Sequence, residues 1–183
     1  PMFDVEYVFL NIRAKSVGEV STIKLKCPDD KKTIVNAEVD LTKVQVEMNK
    51  EHNNKIELTD EMGMIMTYPT VESFGEFDEG VTANIDSFTA TGITDITAEN
   101  MLEVISSCVG QIYDKKGEEV FHAKDSTRKE LVDFVESLNT KQFADVQKFF
   151  DTMPKLTHKV TVENPKTKVK SEVVLSGLND FFG

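Results

Sequence analysis

The feature that most constrains this chain is a pair of alternating runs, one near each end, each broken by a short turn that contains proline. Ile23, Leu25 and Cys27 alternate with Thr22, Lys24 and Lys26, and after Pro28-Asp29-Asp30 the alternation resumes through Val35, Ala37, Val39 and Leu41. At the far end, His158 to Glu163 and Val169 to Leu175 flank the segment Asn164-Pro165-Lys166-Thr167. Successive side chains of a strand point to opposite faces, so a period of two on both sides of a turn predicts an antiparallel hairpin. The closing hairpin has the outline of a metal knuckle, but its turn offers no metal ligand.

Around these hairpins the pattern changes period. From Phe3 to Ala14 the apolar residues Phe3, Val5, Val8, Phe9 and Ile12 recur at steps of three and four, which predicts one face of an amphipathic helix ending before Gly18. Val44, Val46 and Met48, then Ile56, then Met62, Met64 and Met66 read as further strands. The alternating methionines favour one buried strand face over an adaptable binding surface. Between residues 71 and 96 the pattern dissolves into acidic, glycine-containing sequence that reads as a linker or surface excursion.

A helix is expected from Thr97, with Met101, Leu102, Val104, Ile105, Cys108, Val109 and Ile112 as a broad apolar stripe fading at Asp114. Thr127-Arg128-Lys129-Glu130 matches a capping box, in which hydroxyl and carboxylate satisfy the free amides at a helix start. Thr140 is the expected cap of a further helix that Pro154 stops, and the two capped helices are expected to pack as an antiparallel pair. Gly177 to Phe182 is expected to form a last helical turn ending in two aromatic rings.

The expected fold class is α+β: a small antiparallel hairpin region with zinc-ribbon-like hairpins that lack metal ligands, plus a helical region of three main helices. The expected organisation is a helix and β region over 1–70, the acidic excursion over 71–96, the helical region over 97–153, and the closing hairpin and aromatic tail over 154–183. That last part is expected to pack back on the β region.

Composition closes off several functions. With 21 Lys and Arg against 32 Asp and Glu, the net charge of −11 repels a phosphate backbone, so no nucleic-acid partner is expected. No apolar run approaches the roughly 20 residues of a membrane span. Cys27 and Cys108 fit buried thiols of a reducing compartment. The chain starts at Pro1, which suggests a processed product or a chain without its natural start.

Chemistry finds no foothold. His52, His122 and His158 lack the spacing of co-ligands, and no nucleophile motif or glycine-rich phosphate loop is present. The paired acids Asp29-Asp30, Asp78-Glu79 and Glu118-Glu119 read as solvated turns. No catalytic residue, no cofactor-binding residue, no metal site and no cofactor are therefore expected.

With the elements in order, the chain resembles the baseplate hub assembly protein family of T-even-like, contractile-tailed bacteriophages. The stretches that carry the resemblance are MFDVEYVFLNIRAKSVGE, KLKCPDD, KIELTD to MTYPT, FFDTMPKLTHKV and LSGLNDFF. It spans nearly the whole chain and implies a further segment ahead of Pro1. Related sequences often carry C-x-x-C knuckles at both hairpins, whereas here Cys27 is the one cysteine of four, Asp30 stands for the second, and Asn164 to Thr167 supply none. A tetrahedral site of cysteines alone cannot form, so strand pairing and apolar packing are expected to hold the hairpins together.

The resemblance implies a non-enzymatic morphogenesis protein, an assembly factor or component of the baseplate hub. It would be a late protein acting in the host cytoplasm, with the virion baseplate as a further location and other hub proteins as partners. Homo-oligomerisation stays open. Phe3, Tyr7, Phe9, Phe181 and Phe182 are the expected partner-binding residues. Two alternatives remain: a permanent structural subunit of the virion, and a hydrolase with a carboxylate site in the acidic excursion.

Overall fold

A computed structural model describes residues 1–70, 98–117 and 119–182, and the chain is α+β. It divides into two compact units. One, the hairpin unit, comprises Phe3–Glu47 and the described residues from Pro154 onward; the other, the sheet-helix unit, holds the described residues between them together with Pro1–Met2.

The hairpin unit begins with α1 (Met2–Val17), followed by β1 (Val20–Lys26) and β2 (Ile34–Asp40), which pair antiparallel with Ile23 opposite Ala37. A short 3-10 turn at Leu41–Lys43, capped by the Asp40 carboxylate on the Thr42 amide at 3.1 Å, leads to β3 (Gln45–Glu47). After the chain returns, β8 (Lys155–Glu163) pairs with β3 on one side and with β9 (Lys170–Ser176) on the other. The alternation read from the sequence is the observed burial. Ile23, Ala37, Val39, Leu156, Val160, Val162 and Leu175 turn into one core, joined by Leu10 and Ala14 of α1 and by Phe181. The intervening lysines and glutamates stay outside, where Lys159 and Glu172 form a cross-strand pair at 3.2 Å.

The sheet-helix unit carries a four-stranded antiparallel sheet in the order β4 (Lys55–Glu57), β5 (Met62–Met66), β6 (Val109–Asp114) and β7 (Val120–His122). Its helices are α2 (Ala98–Ser107), α3 (Arg128–Glu136) and α4 (Thr140–Thr152). The core contains Ile56, Met64, Met66, Val104, Ile105, Cys108, Val109, Val135, Val146, Phe149 and Phe150. Gly63 is required where β5 meets β6. It lies opposite Tyr113, and a Cβ there would collide with the Tyr113 ring.

Four local readings are corrected. The stripe expected to run through Ile112 as one helix breaks at Cys108: Val109 to Asp114 are a strand, and their hydrogen bonds go to β5. The broad apolar face fitted a helix and a two-sided buried strand equally well, and pairing decided between them. Asn139, not Thr140, caps α4, accepting from the Lys141 and Gln142 amides at 3.0 Å while the Gln142 side chain returns to the Asn139 amide. The helix that packs most closely on α3 is α2, not α4. The residues from 48 to 70 share a sheet with β6 and not with β1 and β2, so the first boundary falls after Glu47. Glu118 and the excursion over 71–96 lie outside the described residues.

Candidate functional site

The surface that stands out is α1. Its buried positions are Met2, Glu6, Leu10 and Ala14, spaced by four. That face meets the hairpin core through Leu10, with no exposure, and Ala14. The apolar stripe named from the sequence lies mostly on other sides: Val5, Val8, Phe9 and Ile12 are 48%, 56%, 53% and 60% exposed. Tyr7 is also exposed and Phe3 is partly buried. A helix that buries a narrow face and shows its apolar residues to solvent is unusual, because contiguous exposed apolar patches mark interaction sites.

The aromatic tail divides its two rings. Helix α5 (Leu178–Phe182) is fastened by the Asp180 carboxylate, which accepts the Ser176 amide at 2.7 Å, and by the Ser21 hydroxyl, which donates to the Phe181 carbonyl at 2.8 Å. Phe181 is fully buried in the hairpin core, so it anchors the tail to its own unit and is not available at the surface. Phe182 is half-buried against α1, with its ring edge-on to Phe9 at 6.2 Å and the Arg13 guanidinium 5.8 Å above it. Phe9 and Phe182 thus form one aromatic edge beside the exposed stripe, which neither end of the sequence revealed alone.

The two hairpin tips come together. In each, a proline follows the first residue, the fifth residue is a lysine in the left-handed region (φ +53° at Lys31, +63° at Lys168), and that lysine amide returns to the first residue's carbonyl. Those bonds are Lys31 to Cys27 at 2.9 Å and Lys168 to Asn164 at 2.8 Å. Cys27 and Asn164 are each 1% exposed. The Asn164 amide donates to both Asp29 carboxylate oxygens at 3.0 Å, and the Thr167 hydroxyl donates to the same carboxylate at 2.5 Å. These donors hold the Asp29 carboxyl below its ordinary range. Asp30 turns back on its own chain, accepting the Thr33 hydroxyl at 2.6 Å and the Lys32 and Thr33 amides, and is depressed further. Burial, with help from the negative charges of Asp29 and Asp30, pushes the Cys27 thiol up, so it stays protonated. The expectation that strand pairing and apolar packing join the hairpins was incomplete, because a polar contact links their tips.

Of the histidines, His52 lies in an aromatic setting, stacked on Tyr68 at 5.5 Å and tilted on Phe149 at 5.1 Å, with Nδ1 3.0 Å from the Thr152 hydroxyl. That hydroxyl donates to the Lys148 carbonyl at 2.7 Å, so it accepts from His52 Nδ1–H. Burial lowers the His52 pKa. A polar groove beside it, about 370 Å³, is lined by Glu51, Asn53, Lys55, Lys141, Asp145 and Lys148 among others. Its charged residues are of both signs. Among the described residues no group of three or more His, Cys, Asp or Glu could hold a metal ion, and no helix is long and apolar enough to cross a membrane. The acidic excursion, on which the hydrolase reading rested, lies outside the described residues.

These observations define an α+β protein whose distinguishing features are an exposed apolar helix and internally fastened hairpins. The family model described as T4 bacteriophage base plate protein matches residues 1–183, and the chain belongs to that family. No curated protein and no solved structure matches it.

Proposed function

We propose that this protein is a component or assembly factor of the phage baseplate hub that acts by protein–protein contact, and that the outward face of α1 seats in another baseplate protein. Membership of the base plate family supports the setting. The single observation that carries the surface is the half-exposed stripe Val5, Val8, Phe9 and Ile12 on a helix otherwise fixed to its own core. Completing the burial of each such side chain is worth on the order of 1 kcal/mol, and Phe9 within the stripe with Phe182 beside it supplies the ring-rich anchors typical of binding hot spots. Phe181 contributes indirectly, by holding α5 and therefore Phe182 beside α1.

On this reading the protein works in the host cytoplasm during assembly, and its persistence in the virion separates a transient factor from a permanent subunit. The test is co-purification of baseplate proteins from infected cells with the wild type and with the Val8→Asp/Ile12→Asp variant. The variant is expected to melt like the wild type, since both sites are exposed and surface changes shift stability by less than about 0.5 kcal/mol. It is also expected to lose its partner. A folded variant that still recovers the same baseplate proteins would remove α1 as the contact. Mass spectrometry of purified particles then decides between the two roles.

A further inference from the structure

The hairpin tips repeat the backbone of a double metal knuckle so closely that the fit of a metal can be tested position by position. A double knuckle of that kind presents the first and fourth side chains of each turn to one tetrahedral ion. Here those positions are Cys27 and Asp30 in the first tip, and Asn164 and Thr167 in the second. Asn164 directs its amide nitrogen, a donor without a lone pair for a cation, at Asp29, and its Oδ1 accepts the Lys166 amide at 2.9 Å. Thr167 spends its proton on Asp29. The Asp30 carboxylate is engaged by Lys32 and Thr33 of its own turn. Of the four, only Cys27 and Asp30 are ligand types, two where a tetrahedral ion needs four, and Cys27 is a buried thiol beside two carboxylates, the setting that opposes the thiolate a metal requires. The four positions do not fit a metal.

We propose that the Asp29 carboxylate, bridging Asn164 and Thr167, is the cross-link between the hairpin tips, standing where an ion would join two knuckles, and that the hairpin unit folds without metal. The geometry has the features such a substitution needs. One anionic acceptor, with two oxygens, takes three hydrogen bonds from the opposite tip, and charge-assisted bonds of this kind are about twice as strong as neutral ones. The polar group most in need of a partner, Asn164 at 1% exposure, has its side-chain donor and acceptor both engaged. The contact spans 135 residues of sequence, as a structural metal would. This inference is independent of the α1 surface.

The discriminating variant is Asn164→Asp in the full chain, read by the thermal midpoint with added zinc and with chelator. A metal site gains a ligand by this change, whereas the clasp loses a donor and acquires a second negative charge against Asp29. The wild type is expected to melt identically with zinc and with chelator and to carry no stoichiometric metal, and Asn164→Asp is expected to lower the midpoint by roughly 10 °C in both conditions. Asp29→Ala and Asn164→Ala should couple, the double variant losing scarcely more than the worse single one. Stoichiometric zinc in the wild type, chelator-sensitive melting, zinc-dependent stabilisation of Asn164→Asp, or additive losses in the cycle would each overturn the proposal. Should Asn164→Asp fail to fold, Thr167→Val removes one donor. It is expected to cost a few degrees, and an unchanged midpoint would overturn the clasp.

Discussion

In the sheet-helix unit, helix starts are fixed by neighbours in the sequence: Thr127 with Glu130, and Asn139 with Gln142, each three residues apart. In the hairpin unit the polar contacts that decide the assembly join residues 135 and 160 apart, Asp29 with Asn164 and Ser21 with the Phe181 carbonyl. Local polar contacts specify where an element begins. Distant ones specify which elements meet, and in the hairpin unit they join two segments separated in sequence by a whole unit. The contrast extends to aromatic rings, because Phe149 is buried by its own helix and sheet while Phe181 is carried to its core by the chain's last helix.

The contrast can be broken in order of expected effect. Truncating Phe181 to Ala should remove the ring that closes the hairpin core and cost about 3–5 kcal/mol in chemical denaturation. A loss under about 1 kcal/mol would mean that the tail is not part of that core. Gly63→Val forces a side chain into the Tyr113 ring and is expected to cost about 1–3 kcal/mol. Combining it with Tyr113→Ala should recover part of that loss, and failure to recover would point to the backbone rather than the collision. Thr127→Ala removes one capping bond and should cost about 1 kcal/mol, confined to α3 when hydrogen exchange is followed residue by residue.

Acidification separates the units by sign and window. Burial lowers the His52 pKa, so the folded state disfavours the charged ring, and stability present above its ordinary value of 6.5 falls as pH drops below it. Asp29 is also depressed, by its hydrogen bonds, but from an ordinary value of 3.8, so its contribution is lost only as pH falls below that. The expected result is that the sheet-helix unit weakens first, and that His52→Gln removes the early fall. Simultaneous weakening of both units near pH 6 in the His52→Gln variant would contradict it.

Much of the architecture was legible. The first hairpin followed from alternating Ile23, Leu25, Val35, Ala37 and Val39, and the α3 start followed from Thr127 and Glu130, because these signals depend on one to four neighbours. The strand over Val109–Asp114 was not, since Val109, Ile112 and Tyr113 fit either period until β5 supplied hydrogen-bond partners. The clasp was not legible either: Asp29 and Asn164 look like ordinary turn residues, and their chemistry appears only when the tips meet.

Local pattern alone set the periods, the turns and the Thr127 cap of α3, and through them the two hairpins. It also determined that α1 carries an apolar stripe. That this stripe faces solvent while Leu10 and Ala14 face the core, and that Phe181 turns inward while Phe182 stays beside Phe9, was settled by the packing. The reason is that periodicity records which residues share a face, whereas burial depends on which neighbour arrives to cover it, and here that neighbour comes from the other end of the chain.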